Sequence, residues 1–239
     1  MTPEYSIVVP VFNEEGNVGP LTREIAAAFD GTAYEMIFVD DASTDGTKAA
    51  LAALKAELPA LRVLSHRANA GQSRSVRTGV MAARADIVVT LDGDGQNDPA
   101  DAPRLVKRLR DAPATLGLVG GERQKRQDSF AKRYASKIAN RVRRWMLNDG
   151  TNDAGCGLKV FRRDYFLRLP YFDHLHRFLP AMMIREGFEV AFEPVHHRPR
   201  STGVSKYNNL GRLWASAGDI IGVSWLNARA RNPRGADEV

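Results

Sequence analysis

Short apolar runs alternate with longer segments of helical period through the N-terminal half of the chain. The apolar runs predict strands, and each of the first three is followed by a helix, in the order β-α-β-α-β-α-β. The predicted strands are 5–12, 36–39, 61–65 and 87–91, and the predicted helices are 17–29, 44–57 and 73–84. This alternation is typical of an α/β protein with a Rossmann-like, mostly parallel sheet flanked by helices.

The second half of the chain has a less regular pattern. Asp98 followed by Pro99 is a typical helix start and predicts a helix to about Arg110. The other predicted elements are a strand at 116–121, a basic helix at 129–145, a strand in GLKVF, a helix at 179–186, an antiparallel or edge strand in EVAFEPVHH, and an amphipathic segment at 210–226.

We expect one catalytic domain over residues 1–209 and an amphipathic helix with a polar tail over residues 210–239. The apolar part of the second segment has about fourteen residues and includes Asp219, whereas about 20 apolar residues are needed to span a bilayer. Its tryptophans and arginines fit a helix at a membrane surface, and they equally fit a core helix with a solvated tail.

Composition places the protein among ordinary globular proteins, with 44% hydrophobic and 26% charged residues in a chain of 239. The single cysteine, Cys156, excludes an internal disulfide and a site built from several cysteines. The first apolar run is short and lacks a basic segment before it, so it is not typical of a secretory signal. We therefore expect a protein of the reducing cytoplasm.

Charge is distributed unevenly within the formal net charge of +6. Residues 1–102 contain 8 Lys and Arg against 15 Asp and Glu, whereas residues 103–144 contain 13 against 3. A local basic excess suits phosphate, whether free, in nucleic acid or on a membrane surface, and it also suits a solvated helix face.

Acidic side chains follow three predicted strands, at the edge where ligands bind in an open parallel sheet. They lie in FNEEGN, at Asp40 and Asp41, and at Asp92, Asp94 and Asp98. Carboxylates this close would repel one another unless a cation or hydrogen-bond donors lay among them. The segment LDGDGQ suits Mg²⁺ or Mn²⁺ shared with a nucleotide diphosphate, and a tight Asp-Gly turn without a ligand is the alternative.

Several other phosphate-binding and catalytic motifs are absent from the sequence. It contains no GxGxxG after the first strand, no GxxxxGK[ST] and no GxSxG. Phosphate binding would therefore rely on a metal ion and arginine, and nucleophilic hydrolysis has no support.

Four blocks, VPVFNEEGNV, FVDDASTDGT, NAGQSRSVRTG and DIVVTLDGDGQNDP, resemble the inverting family-two glycosyltransferases with a glycosyltransferase-A fold. Later, RYASKIAN, DAGCGLKVFRRD and RFLPAMMIREGFEVAFEPVHHRPRSTGVSKY resemble the polyprenyl-phosphate branch of that family. Dolichol-phosphate mannosyltransferases and undecaprenyl-phosphate glycosyltransferases typify this branch. The resemblance covers the chain to about Leu226.

The resemblance implies roles for particular residues. For the donor, it implies contacts from Pro10, Phe12, Glu14, Val39, Asp41, Asp92, Gly93, Asp94, Gln96, Arg200 and Lys206. For the acceptor phosphate, it implies contacts from Arg123, Arg133, Ser136 and Ser205. The ligands of the divalent ion, Mg²⁺ or Mn²⁺, would be Asp92, Asp94 and Gln96, and the catalytic residues would be Asp92, Asp94, Arg123 and Arg200.

Three further positions are marked by comparison with the family pattern. Gly93 stands where relatives more often have alanine, and Gly95 stands where leucine is common. Asp153 aligns with a position where the wider family keeps a base, which makes it a candidate contact for the donor sugar.

The implied activity is a metal-dependent, inverting transfer of one sugar from a GDP- or UDP-sugar to a polyprenyl phosphate. The product would be a lipid-linked sugar donor for cell-envelope glycan or lipid A modification. A phosphate monoester has a second pKa of about 6, so this acceptor is already largely anionic at neutral pH and needs no strong base. The expected partners are the nucleotide sugar, the lipid phosphate and a membrane surface, without nucleic acid, and a homo-oligomer stays open. We expect a peripheral protein on the cytoplasmic face of the inner membrane.

Other functions stay open at this point. A glycosyltransferase of the same family could use an acceptor that is not a lipid phosphate. A sugar nucleotidyltransferase would also place acidic metal ligands on such a sheet, but the first loop, FNEEGN, is acidic where a glycine-rich basic loop is expected. A non-catalytic basic module that binds nucleic acid or membrane would explain the basic segment but not the acidic strand ends.

Overall fold

A computed structural model describes residues 2–124, 146–199 and 209–231, with side chains from residue 218 onward in the last range. Seven strands within these residues form one sheet in the order β3-β2-β1-β4-β6-β5-β7. The strands are β1 (Tyr5–Val11), β2 (Tyr34–Asp40), β3 (Leu61–Ser65), β4 (Ile87–Thr90), β5 (Leu116–Arg123), β6 (Lys159–Arg162) and β7 (Glu189–Val195).

Helices connect most of these strands. They are α1 (Glu15–Ala28), α2 (Thr47–Glu57), α3 (Gln72–Ala82), α4 (Ala102–Arg110), α5 (Arg163–Arg168), α6 (Leu175–Arg185) and α7 (Asn209–Arg229). A short 3-10 turn, Pro99–Asp101, leads into α4. The Asp98 carboxylate accepts a hydrogen bond from the Ala100 N–H at 3.0 Å, so the predicted helix start is confirmed.

The sheet is parallel from β1 to β4 and becomes mixed beyond β4. Strand β6 is antiparallel to both of its neighbours, β4 and β5, and β7 runs parallel to β5. The prediction of an edge strand at EVAFEPVHH is confirmed, but an antiparallel direction is wrong. The physical reason is the connection, because β6, α5 and α6 form a crossover that returns the chain in the direction of β5.

Hydrophobic clusters cover both faces of the sheet, which gives three layers. Val9 belongs to the cluster that contains α1, α2 and α4 residues, and its neighbour Val8 belongs to the cluster that contains α3 and α6 residues. Successive residues of a strand point to opposite faces, so both must be apolar when both faces are covered. This explains why the central strands are continuous apolar runs rather than alternating ones.

Most predicted elements are present with ends shifted by a few residues. Helix α5 was not predicted from the sequence, and α6 begins at Leu175 rather than at the predicted Leu179. Pro180 lies inside α6, where it removes one backbone hydrogen bond, but buried Phe178 and Met182 anchor the helix to the sheet. The basic helix predicted at 129–145 lies outside the described residues.

The segment predicted at 210–226 is helical and is part of α7. Ile220 and Val223 of α7 pack against the hydrophobic cluster that contains α6. Of the helices that the structure describes, none has both the length and the apolar character needed to cross a membrane. A domain boundary at residue 209 stays a prediction.

Candidate active site

The candidate site lies at the carboxyl edge of the sheet, where β1 and β4 are neighbours. The chain turns from β1 toward β2 on one side of this point and reaches β4 on the other, and ligands of open α/β sheets bind at such switch points. A small cavity opens here between β1, α3, β4, β6 and α6. Its polar lining includes Gln72, Thr90, Asp92, Lys159 and His176.

The acidic loop after β1 is tied to the loop after β2. The Asn13 side chain accepts a hydrogen bond from the Thr44 N–H at 2.7 Å, and the Glu15 carboxylate accepts one from the Gly46 N–H at 3.1 Å. The Glu14 N–H donates to the Thr47 hydroxyl at 2.8 Å. These contacts give the first two loops a defined shape at the edge of the site.

Asp41 holds the loop that precedes α3. Its carboxylate accepts hydrogen bonds from the Ala70 and Gly71 N–H groups at 2.9 and 2.8 Å, and it lies 2.7 Å from Nδ1 of His66. Hydrogen-bond donors of the protein therefore surround the Asp41 carboxylate. Such donors are one of the two ways, besides a cation, in which the clustered carboxylates were expected to be stabilised. The predicted contact of Asp41 with the nucleotide stays a prediction.

Asp92 contributes a carboxylate to the lining of this cavity. Gln72, at the first position of α3, donates a hydrogen bond to it at 2.7 Å. Burial, followed by the charge of the nearby Asp94, raises the pKa of Asp92 to about 6, although Lys159 and Arg123 oppose the shift. The site therefore keeps negative charge in a place where a free carboxylate is costly.

Two glycines allow this placement of Asp92. A Cβ atom on Gly157 would lie 2.2 Å from Cγ of Asp92, so any side chain there would displace the carboxylate. A Cβ atom on Gly93 would lie 2.8 Å from the Pro10 carbonyl oxygen and 2.6 Å from Cγ1 of Val11. The acidic turn is thus pressed against the end of β1.

The oxygen ligands around the acidic turn suit a metal ion that is bound jointly by the protein and a substrate phosphate, rather than by protein ligands alone. Asp92 and Asp94 offer carboxylate oxygens and Gln96 offers an amide oxygen, and the Gln96 N–H donates to Asp94 at 3.1 Å. Among the described residues, no three or more His, Cys, Asp or Glu side chains are grouped so that they could hold a metal. Mg²⁺ is often bound by one or two carboxylates together with substrate phosphates, and the residues present fit that arrangement.

Arg123 and Asp153 form a bidentate ion pair close to Asp92. Nε and Nη2 of Arg123 donate to the two carboxylate oxygens at 2.5 and 2.6 Å. Although burial opposes it, pairing with Asp153 raises the pKa of Arg123, so the guanidinium keeps its charge. The predicted donor-sugar contact, Asp153, is thus held in place by a predicted phosphate-binding residue.

Lys159 is a buried lysine that the sequence analysis did not single out. Its ammonium donates a hydrogen bond to the Cys156 carbonyl, and burial lowers its pKa while the negative charges of Asp92 and Asp153 oppose that shift. A lysine in the otherwise apolar strand of GLKVF is a sequence signal that could have revealed it. Gln72 carried no comparable signal, since only the fold brings the start of α3 next to Asp92.

Arg198 fastens the chain before the late RxxGxSK element to the acidic turn. Its guanidinium forms ion pairs with Glu24 at 2.8 Å and with Asp98 at 2.5 Å. The backbone N–H of Arg198 donates a hydrogen bond to the Gln96 carbonyl at 2.9 Å. The predicted residues beyond it and in the basic segment lie outside the described residues. They are Arg133, Ser136, Arg200, Ser205 and Lys206.

The other predicted residues are distributed as follows. Pro10 lines the same cavity as Asp92, and Phe12 and Glu14 lie in the first loop. The side chain of Val39 is fully buried in the core cluster on the α3 side of the sheet, so its backbone is the part that can face the site.

The sequence model of the family Glycosyl transferase family 2 matches residues 6–169 of this chain, a range that contains nearly all of β1, the acidic turn and β6. The chain belongs to this family. The dodecaprenyl-phosphate galacturonate synthase of Rhizobium johnstonii is 35% identical to this family-two chain over 228 residues, covering 93% of the chain and 67% of that protein.

Two further relatives are undecaprenyl-phosphate 4-deoxy-4-formamido-L-arabinose transferases. The protein of Shewanella sediminis is 34% identical over 206 residues, covering 84% of the chain and 61% of the relative. That of an Enterobacter species is 35% identical over 211 residues, covering 85% and 62%. The family-two chain thus spans between 61% and 67% of the length of these curated relatives.

Solved structures of low sequence identity share the fold. Glucosyl-3-phosphoglycerate synthase from Mycobacterium tuberculosis, in complex with Mn²⁺, UDP-glucose and phosphoglyceric acid, has a TM-score of 0.71 at 19% identity, covering 97% of this chain and 81% of that one. A mannosyltransferase from Pyrobaculum calidifontis, in complex with GDP-mannose and Mn²⁺, has a TM-score of 0.66 at 20% identity, covering 100% and 66%. The predicted glycosyltransferase-A fold is confirmed.

Proposed function

We propose that this protein transfers a single sugar from a nucleotide-diphosphate sugar to a polyprenyl phosphate, with inversion at the sugar carbon. The observation that carries the proposal is the Asp92–Asp94 turn, placed beside Arg123 at the switch point of a family-two fold. The 34–35% identity to transferases named for polyprenyl phosphates supports the choice of acceptor. GDP- and UDP-sugars are both retained as donors.

Different residues of the site would bind the metal ion and orient the nucleotide of the donor. Asp92, Asp94 and Gln96 would hold Mg²⁺ or Mn²⁺, which when bound neutralises charge on the departing diphosphate. Gln72 fixes one oxygen of Asp92, and the tied loops after β1 and β2 orient the nucleotide. Positioning of the reactants and neutralisation of developing charge account for most of the rate acceleration in many enzymes.

The acceptor side explains why Asp153 is paired. A phosphate acceptor is already anionic, so the site needs a cation to guide it more than a base to deprotonate it. Arg123, held by Asp153, is such a cation at the end of β5. A hydroxyl acceptor would instead require a carboxylate that is not committed to an arginine.

We also propose that the protein works at a membrane surface, where the lipid phosphate is found, and that α7 contacts this surface. The outward side of α7 carries Ile221 and Trp225, which are 64% and 59% exposed, and Arg229 lies one turn further on, 5.8 Å from the Trp225 ring. An apolar stripe that ends in arginine is typical of helices at the interface of an anionic bilayer. The cytoplasmic face of the inner membrane stays the predicted location.

The test is a panel of UDP- and GDP-sugars with undecaprenyl phosphate and Mg²⁺ or Mn²⁺, scored for radiolabel that enters the organic phase. We expect at least one donor to label the lipid, and Asp94→Ala to lower the rate by about 10²-fold or more. Asp164→Asn is the matched control, because Asp164 is an exposed carboxylate that pairs with Arg168 on the surface. Transfer that is unchanged in Asp94→Ala, or label that enters only water-soluble acceptors, would contradict the proposal.

A further inference from the structure

Lys159 is a charged residue of the candidate active site to which neither the resemblance nor the proposed chemistry gives a role. It is 5% exposed and lines the same cavity as Asp92. The hydrogen bond from its ammonium goes to the Cys156 carbonyl, which is a neutral partner. Burying a cation on a neutral partner is unfavourable unless negative charge lies nearby.

Negative charge does lie nearby, and it is nearly balanced. Asp92 interacts electrostatically with Asp94, Lys159 and Arg123, and Lys159 also interacts with Asp153. Among these described groups, three carboxylates face two cations, which leaves one net negative charge. Protein sites that hold a divalent cation unaided gather more uncompensated carboxylates than this.

We propose that Lys159 is a built-in counter-ion of the Asp92–Asp94 pair, which makes the protein a weak ligand for a free divalent ion, so that the ion enters together with the nucleotide diphosphate. This inference rests on the proposed function, because the two phosphates of the donor supply the missing negative charge and oxygen ligands. Lys159 is a positioning residue here, since its ammonium is held by the Cys156 carbonyl and acts on the ion only through its charge. The same balance lets the ion leave with the nucleoside diphosphate after transfer.

The experiment counts free Mn²⁺ by electron paramagnetic resonance at about pH 8, with the full chain and without sugar transfer. Each protein is titrated with Mn²⁺ alone, with Mn²⁺ and UDP, and with Mn²⁺ and GDP. The variants are Lys159→Met, which removes the charge, and Lys159→Arg, which keeps it. Lys107→Met is the matched control, because Lys107 is exposed on α4 and pairs with Asp111.

For the wild type, we expect at least about tenfold tighter Mn²⁺ binding with one of the nucleotides than without it. In Lys159→Met, binding of Mn²⁺ alone should become about tenfold tighter, because a unit positive charge close to the ion has been removed. Lys159→Arg and Lys107→Met should leave Mn²⁺ binding within about twofold of the wild type. The sign is diagnostic, since a merely structural lysine would loosen the site and weaken Mn²⁺ binding.

Two results would overturn the inference. One is weaker Mn²⁺ binding in a Lys159→Met variant whose circular dichroism and melting remain those of the wild type. The other needs no variant: equally tight Mn²⁺ binding by the wild type with and without UDP or GDP. If Mn²⁺ binding depends on nucleotide and becomes tighter in Lys159→Met, but the protein labels no lipid with any donor, the proposed function is refuted and the role of Lys159 is supported.

Discussion

At the scale of single residues, Asp92 shows a conflict between stability and function. Burial and the neighbouring Asp94 raise its pKa to about 6 from the usual 3.8, which means that the folded chain favours the protonated form. The proposed metal binding needs the opposite, because an ionised carboxylate binds a divalent ion much better than the protonated acid does. The fold therefore carries an electrostatic cost that a bound metal and nucleotide would relieve.

We predict that Asp92→Asn stabilises the metal-free protein at about pH 8 while it abolishes sugar transfer. A raised folded-state pKa means that stability falls as pH rises through about 4 to 6 and then stays level, and asparagine avoids this loss. Because Asp92 lines a cavity, we expect a gain of about 1–2 kcal/mol rather than the full value of about 3 kcal/mol.

The measurement is urea unfolding of wild type and Asp92→Asn at about pH 8 and about pH 4, with a chelator present. Most of the difference should disappear at the lower pH, where the carboxyl is protonated in the folded state and only partly ionised in the unfolded state. A variant that is less stable than the wild type at about pH 8 would show that the ionised carboxylate contributes favourable contacts that outweigh its burial.

At the scale of elements, three chain segments meet around one carboxylate. Asp92 follows β4, Gln72 begins α3, and Gly157 precedes β6, although 85 residues separate the last two in the sequence. The antiparallel β6 brings Gly157 against the end of β4, since Thr90 pairs with Lys159 in the sheet. A glycine is needed at this point because the carboxylate occupies the space that a Cβ atom would fill.

We predict that Gly157→Ala displaces the Asp92 carboxylate and lowers the affinity for Mn²⁺ and the donor nucleotide by about tenfold or more. Overpacking of this kind typically costs about 1–3 kcal/mol of stability, so the variant should still fold. Gly222→Ala is the control, since a Cβ atom on Gly222 of α7 would meet no neighbour within 4 Å. Calorimetric titration with Mn²⁺ and nucleotide decides the matter, and unchanged binding in Gly157→Ala would refute the predicted clash.

At the scale of the whole molecule, the acidic residues and the exposed apolar residues of α7 lie in different parts of the structure. The acidic strand ends lie at one edge of the sheet, whereas exposed Ile221 and Trp225 lie on α7, which packs on α6. In the proposed reaction, the acidic edge would bind the water-soluble donor and the apolar stripe would contact the membrane that holds the lipid phosphate. The basic segment 129–145 adds charge of the sign that anionic lipids attract.

We predict that replacing both Ile221 and Trp225 by serine weakens binding to phosphatidylglycerol vesicles by about tenfold or more, because their apolar area no longer enters the interface. Met81→Ser is the matched control, since Met81 of α3 is as exposed as Trp225, at 59%. Vesicle flotation measures binding, and transfer to a short, water-soluble isoprenyl phosphate should be unaffected. If the double variant instead converts a dimer into a monomer without a change in vesicle binding, the stripe is a contact between copies.

Local patterns in the chain predicted the elements well where one principle governs them. The run 61–65 and the pair Asp98-Pro99 depend on apolar periodicity and helix capping, and both were assigned correctly. Assignment was less accurate around Pro180 and for the direction of β7, because packing and connectivity override local preference there. The same limit applies to the site, where Asp92 and Asp94 were evident and Gln72 was not.

The α/β class, the succession of strands and helices, and the acidic turn after β4 could all be predicted from the sequence, because these depend on neighbours along the chain. Which charges meet depends on the tertiary structure: Asp41 is satisfied by the loop before α3, Asp153 holds Arg123, and Lys159 lines the same cavity as Asp92. The physical reason is that solvation and charge interactions depend on distances in space, and those exist only after the sheet has assembled.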